Sequence, residues 1–341
     1  MAVDSTAFSP KEWTVLIKNT TGWGETAIGT SMYQLDVDSA SMPSLGINQS
    51  LDIRTTKGDG SRTFQDEDFF QDDTFIVREM TFSGNFHTDT AHKFPFLNIA
   101  DQATSNDLVP LAAGYSPTGL ANGVSVGAGT MASHHLFNII VASPGVTNGK
   151  NMSFNNCVCT NYQISADIGT DGGRYKYSMT FSTAGKFQAL ADDTAVAPTA
   201  PYANTTNVTM GGINAGTFKV ADINATLNSF TITVDNPAIW TGAGSLGFET
   251  LSRGPECSVT FDAQVKYDSL TDELINTFDG QVAPVDGVGL NIVNSANFDI
   301  AINDYVLTNV STSEGDIMML DISGKSVDDG AEALLSLDWS T

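Results

Sequence analysis

Apolar and polar residues alternate along two stretches of this chain, and the two stretches match each other. Between Cys257 and Tyr267 every second residue is apolar, and the residues between them are polar. A period of two is typical of a β-strand with one buried and one solvated face. Residues 80–89 align on residues 259–268 without a gap, apolar on apolar and polar on polar. We therefore interpret the chain as two copies of one unit.

In the second copy, a short helix is predicted directly after the alternating strand. Ser269 or Thr271 can cap its first turn. The apolar residues that fall on one helical face are Leu270, Leu274, Ile275 and Phe278. The unit is thus predicted to be a long strand that turns into a helix packed on its own sheet. The matching helix of the first copy is expected near residues 93–102.

Shorter alternating segments predict further strands in both copies. These segments are 12–18, 33–37, 136–141, 152–158, 162–167 and 175–182 in the first copy, and 218–220, 230–234, 290–293, 298–302, 305–310 and 316–322 in the second.

Taken together, the pattern predicts an all-β chain of two modules. The first module covers residues 1–190 and includes a Gly- and Pro-rich insertion near 103–133. A semi-extended linker with two prolines covers 191–212, and the second module covers 213–341. A length of 341 residues agrees with two domains, since single domains cluster around 100 to 150 residues. The 31 glycines favour strands joined by many turns over helices.

The charge balance limits the partners of the chain. Asp and Glu number 39 against 15 Lys and Arg, which gives a formal net charge of −24. Nucleic-acid binding rests on neutralising phosphates with Lys and Arg, so we do not expect the chain to grip DNA or an anionic membrane. The N-terminus has no secretory signal pattern, and no apolar run approaches the roughly 20 residues that span a bilayer. These features favour a soluble protein made in a cytoplasm.

Three glycine-rich motifs resemble catalytic or nucleotide-binding signatures but lack the required context. The G-x-S-x-G at 123–127 needs an Asp and then a histidine later in the chain, but only the histidines His134 and His135 follow it and no acidic residue lies between. The G-x-G-x-x-G at 242–247 leaves no room for a dinucleotide-binding helix before 253–255. In the phosphate-loop-like run at 145–150, Asn151 replaces the Ser or Thr that would hold magnesium. We therefore predict no enzyme activity, no catalytic residue and no cofactor.

The metal-ligating residue types are also poorly arranged. His87 and His92 have no third ligand at helical spacing, and adjacent His134 and His135 point to opposite faces of a strand. The acidic clusters lack the frame of a calcium loop, so they are interpreted as solvated surface, with weak divalent binding as the alternative. The three cysteines, Cys157, Cys159 and Cys257, indicate neither a disulfide framework nor a zinc site. No metal site is predicted.

Residues 229–278 resemble a known family. A strand S-F-T-I-T-V-D-N-P is followed by a Gly-rich loop, then by R-G-P-E-C-S-V-T-F and the helix. This order is similar to the tail tube, or major tail, proteins of long-tailed non-contractile bacteriophages. The resemblance implies a β-sandwich with one flanking helix per module, a fold shared with the secreted tube of type VI secretion systems. Most relatives carry one module, some with an added immunoglobulin-like domain, whereas this chain carries two.

The resemblance also implies a function. Six modules form a ring whose sheets line a channel, so three copies of a two-module chain would form a pseudo-hexameric ring. Stacked rings would make the tail tube of a virion, a negatively charged channel through which genomic DNA passes without tight binding. The implied partners are further copies of the chain, the tape measure protein, and the tail terminator and baseplate proteins. No membrane insertion is expected.

Two long segments are expected to mediate stacking between rings. Residues 51–73 are charged and Gly-rich and are predicted to form a long hairpin or an extended loop, and residues 103–133 are the insertion. The candidate stacking residues in the hairpin are Lys57, Asp59, Arg62 and Asp66.

Two other functions remain open on the sequence alone. One is a β-sandwich adhesin that binds glycans, which would cluster aromatic residues on exposed loops. The other is a head decoration protein of a phage. The four tryptophans, Trp13, Trp23, Trp240 and Trp339, are scattered along the chain and favour neither.

Overall fold

The computed structural model describes a little over half of the chain. The described residues are 13–19, 33–41, 49–51, 69–71, 77–87, 123–126, 136–142, 152–184, 188–189, 208–220, 223–242, 250–253, 256, 258–278, 290–294, 298–302, 305–327 and 334–338.

These residues form 22 β-strands and one α-helix, α1 (Asp272–Phe278). The strands up to residue 190 are β1 (Thr14–Asn19), β2 (Tyr33–Gln34), β3 (Ser39–Ser41), β4 (Gln49–Leu51), β5 (Phe69–Gln71), β6 (Arg78–Asn85), β7 (Gly123–Val126), β8 (Phe137–Ala142), β9 (Met152–Asp167), β10 (Lys176–Thr183) and β11 (Gln188–Ala189). The later strands are β12 (Ile213–Val220), β13 (Ile223–Asn224), β14 (Leu227–Asp235), β15 (Ala238–Thr241), β16 (Thr250–Arg253), β17 (Ser258–Lys266), β18 (Leu290–Asn294), β19 (Asp299–Ile302), β20 (Tyr305–Ser313), β21 (Met319–Ser326) and β22 (Leu335–Asp338).

The all-β prediction is confirmed at the level of fold class, because the described residues are mostly strands in antiparallel pairs. Alternation explains why these segments are strands. In β17 the buried residues are Val259, Phe261, Ala263 and Val265, and the polar residues between them are more exposed. Each strand therefore covers a core with one face and meets water with the other.

The largest sheet has twelve strands and runs through both parts of the chain. Eight of its strands lie side by side in the order β3-β6-β10-β9-β14-β17-β21-β20, and we call this set the ribbon. We call residues 1–190 the first half and 213–341 the second half. The first four strands of the ribbon come from the first half, and the last four come from the second.

Two further sets of paired strands, which we call the second layers, lie outside the ribbon. In the first half the order is β2-β1-β8-β9, with β11 on the far side of β9. The other set is a six-stranded sheet in the order β13-β12-β18-β19-β22-β7, of which β7 comes from the first half and the rest from the second. Two hairpins, β4 with β5 and β15 with β16, stand apart from these sheets.

Strand β9 belongs to both layers of the first half because it bends at Asn156. This residue has a left-handed φ of 56° and is 3% exposed. Its backbone N–H donates to Asn138 Oδ1 at 3.3 Å, and the register with β8 shifts at this point. A bulge of this kind redirects a strand, so one continuous strand replaces the two that were predicted at 152–158 and 162–167.

One hydrophobic core joins the two halves. It contains residues from the ribbon and from the second layers. Phe86 and Phe298, one from each half, have ring centroids 4.6 Å apart. Tyr175 and Phe230, also one from each half, meet edge to face at 5.1 Å. Burying large aromatic surface is the main source of stability in such a core.

Helix α1 begins later than the sequence pattern suggested. Asp268 Oδ1 accepts hydrogen bonds from the backbone N–H groups of Leu270 (3.0 Å) and Thr271 (3.2 Å). Thr271 Oγ1 accepts a bond from the Asp268 N–H at 2.8 Å. These bonds hold residues 268–271 in a turn. Leu270 therefore precedes the helix, is 55% exposed and does not pack on the sheet.

Other members of the predicted helix face lie as follows. Leu274 is 1% exposed and belongs to the core, and Ile275 packs against it. The Phe278 side chain and the helix predicted at 93–102 lie outside the described residues.

Part of the predicted insertion is a strand. Residues 123–126 form β7, which pairs with β22 of the second half, so that Ser125 lies opposite Ser336. The serine of the G-x-S-x-G motif is therefore in the middle of an extended, paired strand and not on the sharp strand-to-helix turn that a nucleophile elbow requires.

Candidate functional site

The described residues contain no group of three or more histidine, cysteine or acidic side chains that could hold a metal ion. His87, which was weighed as a metal ligand, is fully buried, and its Nε2 lies 2.8 Å from Asp36 Oδ2. Asn85 Nδ2 donates to the same carboxylate oxygen at 3.1 Å, and Tyr177 donates to the Asp36 carbonyl at 2.6 Å. These bonds fasten the segment before β3 onto β6 and β10.

The two described cysteines are buried in the core and do not form a disulfide. Burial raises the pKa of the Cys157 and Cys159 thiols far above the ordinary value. Thiolates are the reactive form of cysteine, so these residues are suited to packing and not to nucleophilic chemistry.

An open cleft of about 370 Å³ lies at one end of β9, β10 and β14. Its lining includes the cations Arg174 and Lys176. Lys176 Nζ lies 2.5 Å from Asp171 Oδ2 and donates to Asn85 Oδ1 at 2.7 Å. The adjacent Lys176 holds the pKa of the Asp171 carboxyl below its ordinary value. Because Lys176 is paired and the cleft is open, we assign no chemistry to it.

The solvent-facing side of the ribbon is the most extensive polar surface among the described residues, and we call it the polar face. Its side chains are mostly hydroxyls and amides that bond across strands. Thr81 and Thr180 hydroxyls lie 3.0 Å apart, and Gln163 Nε2 donates to Thr233 Oγ1 at 3.3 Å. Gln264 Nε2 donates to Asp321 Oδ1 at 2.9 Å. Other short polar members are Ser83, Ser165, Ser178, Thr231, Thr260 and Ser323.

Charged side chains on the polar face are few, and carboxylates outnumber lysines. They are Glu79, Asp167, Asp235, Asp262 and Asp321 against Lys176, Lys266 and Lys325. Each lysine lies beside a carboxylate: Lys176 with Asp171, Lys266 with Asp268 at 3.9 Å, and Lys325 with Glu256 at 2.5 Å. The strong negative charge of the chain is thus carried largely elsewhere.

Strands β9 and β14 join the two halves of the ribbon, and we call their pairing the internal joint. Seven consecutive residue pairs are in register, from Ser229 opposite Asp167 to Asp235 opposite Asn161. Hydrogen bonds from Asn236 N to Thr160 O and from Ile168 N to Asn228 O extend it at both ends. The joint is therefore a full antiparallel ladder.

The two outermost strands of the ribbon each pair on one side only among the residues described. Strand β3 pairs with β6, and β20 pairs with β21. An edge strand presents unpaired backbone N–H and C=O groups, which natural proteins usually protect with lysine, proline or a bulge directed outward. Neither strand contains a charged residue or a proline, since their sequences are S-A-S and Y-V-L-T-N-V-S-T-S, and β20 has one bulge, between Leu307 and Asn309.

Four of the six exposed large hydrophobic residues in the described chain lie at one end of the ribbon. Ile168 follows β9, Leu270 follows β17, and Ile317 and Met318 precede β21, with exposures between 47% and 64%. These strand ends lie together because Ser229 pairs with Asp167 and Lys266 pairs with Met319. We call this set the apolar rim.

No family model matches the sequence. No curated protein is similar to it either. Among the helices that the structure describes, none has the length and apolar character of a membrane span.

The stacking residues predicted from sequence, Lys57, Asp59, Arg62 and Asp66, lie outside the described residues. The sequence reasoning did not find the internal joint, the two open edges or the apolar rim. A signal for the edges was available in the absence of charge and proline from 305–313. The joint itself depends on a pairing between strands that are distant in sequence, for which the hydrophobic pattern contains no signal.

Proposed function

We propose that this chain is the subunit of a tail tube of a long-tailed, non-contractile bacteriophage, in which copies join into rings that stack around a DNA channel. The observation that carries this proposal is the order of the ribbon. The set β3-β6-β10-β9 is followed by the set β14-β17-β21-β20. In both sets the strands lie side by side in the same order, which is the first, second, fourth and third of the set along the chain. The internal joint connects the last strand of one set to the first strand of the next.

The second layers support a duplicated module. Read from the outside, the first half has β2-β1-β8-β9-β11 and the second has β13-β12-β18-β19-β22, again in matching chain order. In each half a separate hairpin, β4 with β5 or β15 with β16, lies between the first two ribbon strands along the chain. We take each half to be one β-sandwich module, with the boundaries 1–190 and 213–341.

Strands β6 and β17 contain the two aligned segments, and each is the second strand of its set. Phe82 and Phe261 are aligned in sequence. Phe82 lies opposite Met179 on one side and Ala40 on the other, and Phe261 lies opposite Gly324 and Ile232. On the proposed duplication, Met179 is therefore the counterpart of Gly324, and Ala40 is the counterpart of Ile232.

Head-to-tail joining of identical edges leads to a ring when the rotation closes. Each module would supply one sixth of the rotation around the ring axis, so three copies of a two-module chain would close a pseudo-hexameric ring. Closure also uses up the open edges of β3 and β20, which would otherwise risk uncontrolled pairing.

We assign the polar face to the wall of the channel. The core covers the opposite side of the ribbon, so the polar face is the one free to face a lumen. A channel that passes DNA must not hold it, and binding to DNA rests on free cations. The three lysines of this face are each paired with a carboxylate. A wall lined mainly by hydroxyls and amides therefore gives phosphate little attraction, and the five carboxylates of the polar face add some repulsion.

The apolar rim supplies a contact for the next ring along the axis. Exposed apolar residues that cluster at one end of an assembly mark protein contacts. The hairpin and insertion loops, with Lys57, Asp59, Arg62 and Asp66, remain the other predicted stacking elements. In the virion, tape measure, tail terminator and baseplate proteins would be the further partners.

The glycan-binding alternative gains no support from the tryptophans whose surroundings are described. Trp240 is 7% exposed and donates from Nε1 to Ser182 Oγ at 3.1 Å, and Trp13 is half-buried. A sugar-binding platform needs an exposed aromatic face, which Trp240 lacks.

Electron microscopy of the purified full-length chain tests the proposal. We expect rings with a central channel, alone or stacked, and three copies per ring in class averages or by native mass spectrometry. A uniform population of single dispersed chains at high protein concentration would contradict the tube and favour the adhesin.

A further inference from the structure

We propose that β20 of one copy pairs antiparallel with β3 of the next copy, in the same register that β9 and β14 adopt inside the chain. The occupant of each open edge is thus a second copy of this chain. This inference rests on the proposed function, because the pairing is the contact through which the ring would close, and it names the residues of that contact.

The register follows from the equivalence of the two halves. Ser165 of β9 lies opposite Lys176, which lies opposite Asn85. Ser311 of β20 lies opposite Asp321, which lies opposite Gln264. Asn85 and Gln264 are aligned in the sequence, so Ser311 occupies the place of Ser165.

The same reasoning applies to the other edge. Thr231 of β14 lies opposite Asp262, and Ser39 of β3 lies opposite Ser83, the residue aligned with Asp262. Ser39 therefore occupies the place of Thr231.

Within the chain, Ser165 faces Thr231 across the internal joint. Between copies, Ser311 should therefore face Ser39 of the next copy. The neighbouring pairs follow from the same register. Val310 should face Ala40 of the next copy, as Ile164 faces Ile232 at the internal joint. Asn309 should face Ser41 of the next copy, as Gln163 faces Thr233.

Burial on the core side is incomplete where the proposed partner is missing. Ile164 and Ile232 are each 2% exposed at the internal joint. Their counterparts are less covered, since Val310 is half-buried against the core and Ala40 is exposed. Pairing of β20 with β3 would cover both, as the internal joint covers the two isoleucines.

The polar side of the two edges is also suited to the pairing. Gln163 Nε2 donates to Thr233 Oγ1 across the internal joint. Its counterpart Asn309 instead donates from Nδ2 to Ser311 Oγ at 3.1 Å in its own strand. In the assembled ring, Asn309 would lie opposite Ser41 of the next copy, at the position that Thr233 holds opposite Gln163. Polar contacts of this kind across strands stabilise a pairing by roughly 0.2–1 kcal/mol and help to fix its register.

Disulfide trapping in the full-length chain tests the register. Hydrogen-bonded and non-hydrogen-bonded residue pairs alternate along an antiparallel ladder. Asn236 N donates to Thr160 O, so these two residues form a hydrogen-bonded pair. Thr231 and Ser165 lie five pairs further along the same ladder and therefore form a non-hydrogen-bonded pair. Such pairs have Cα atoms about 4.5 Å apart, within the range of a disulfide. The variant Ser39→Cys with Ser311→Cys should therefore link separate copies under mild oxidation, with dimers and trimers on a non-reducing gel.

Two matched variants serve as controls. Ser165→Cys with Thr231→Cys reproduces the geometry inside one chain and should give an intramolecular disulfide, which also reports correct folding. Ser39→Cys with Ser313→Cys shifts one cysteine by two residues on the same face, so Cβ atoms would be roughly 7 Å apart. This pair should give at most a tenth of the linked product. Each single-cysteine variant should stay monomeric on the gel.

The outcomes separate the register from the tube. Rings in the microscope together with linkage at 39 and 311 support both. If rings form but linkage is absent or favours 313, the register is wrong and the tube stands. If the internal control closes while neither rings nor links form at high concentration, both the pairing and the tube are overturned.

Discussion

The internal joint and the two open edges of the ribbon are the most instructive comparison in this molecule. At the joint, β9 and β14 satisfy each other's backbone groups, and the core-facing side chains are covered. At the edges, β3 and β20 each pair with one neighbour among the residues that the structure describes. On the proposed duplication, the joint is a completed contact and the edges are its open counterpart, so the joint is the template for the proposed contact between copies.

The test with the largest expected effect introduces a lysine at two core-facing positions that are counterparts on the proposed duplication, one at the internal joint and one on an edge. Ile232→Lys buries an unpaired ammonium at the internal joint, and we expect a loss of more than about 4 kcal/mol in the free energy of unfolding. Val310→Lys lies on an edge, where the lysine stem can cover apolar surface while its charge reaches water, so the loss should stay below about 1 kcal/mol. Chemical denaturation followed by circular dichroism measures both.

The same two variants differ in assembly. Val310→Lys should remain a folded single chain that forms no rings, because lysine on an edge strand opposes pairing. Rings formed by this variant at the wild-type concentration would contradict the role of β20.

Much of the strand content could be predicted from the sequence, because alternation is a local signal. Residues 80–85 and 258–266 alternate cleanly, and both lie in long ribbon strands. The hydrophobic pattern did not predict the strand bounds where tertiary packing buries both faces of a strand. The N-terminal part of β9 is buried on both faces, from Ser153 to Cys159, so it shows no alternation and its continuity across Asn156 was missed.

The helix face and the exit sequences show the limits of short patterns. Leu270 fits a helical spacing, but the side-chain bonds of Asp268 and Thr271 set the start of α1 after it. Residues 182–186 (S-T-A-G-K) and 321–325 (D-I-S-G-K) are similar in sequence, which on its own would align the ends of the two proposed modules. Strand register instead makes Gly324 equivalent to Met179, so that similarity does not mark equivalent positions.

A second test removes the side chain that anchors the second half's hairpin on the first half. Trp240 of β15 packs with Leu136, Val158 and Ala184 of the first half. Trp240→Ala should cost about 3–5 kcal/mol in the free energy of unfolding, because it opens a cavity between the halves. The control Trp240→Phe keeps most of the packing and loses the hydrogen bond to Ser182, so it should cost about 1–2 kcal/mol. Equal losses for the two variants would show that packing against the first half is not what the tryptophan contributes.

The test with the smallest expected effect concerns the ion pair between Lys176 and Asp171 of the first half. On the proposed duplication the counterpart of Lys176 is Asp321, so the second half has an acidic residue at the position of this lysine. The pKa of Asp171 lies below its ordinary value of 3.8 because of Lys176. The pair therefore stabilises the fold above that ordinary value, and this contribution is lost as the pH falls through the lowered pKa.

We expect Asp171→Asn to shift the midpoint of acid unfolding, followed by circular dichroism, to slightly higher pH. Since the carboxylate is exposed, solvent screens the pair and the shift should be the smallest of the three effects. In a Lys176→Gln background the same substitution should leave the midpoint unchanged, because the partner charge is already gone. A shift that persists in that background would mean that Asp171 acts through the hydrogen bonds of its turn, and the ion pair would then not distinguish the two halves of the ribbon.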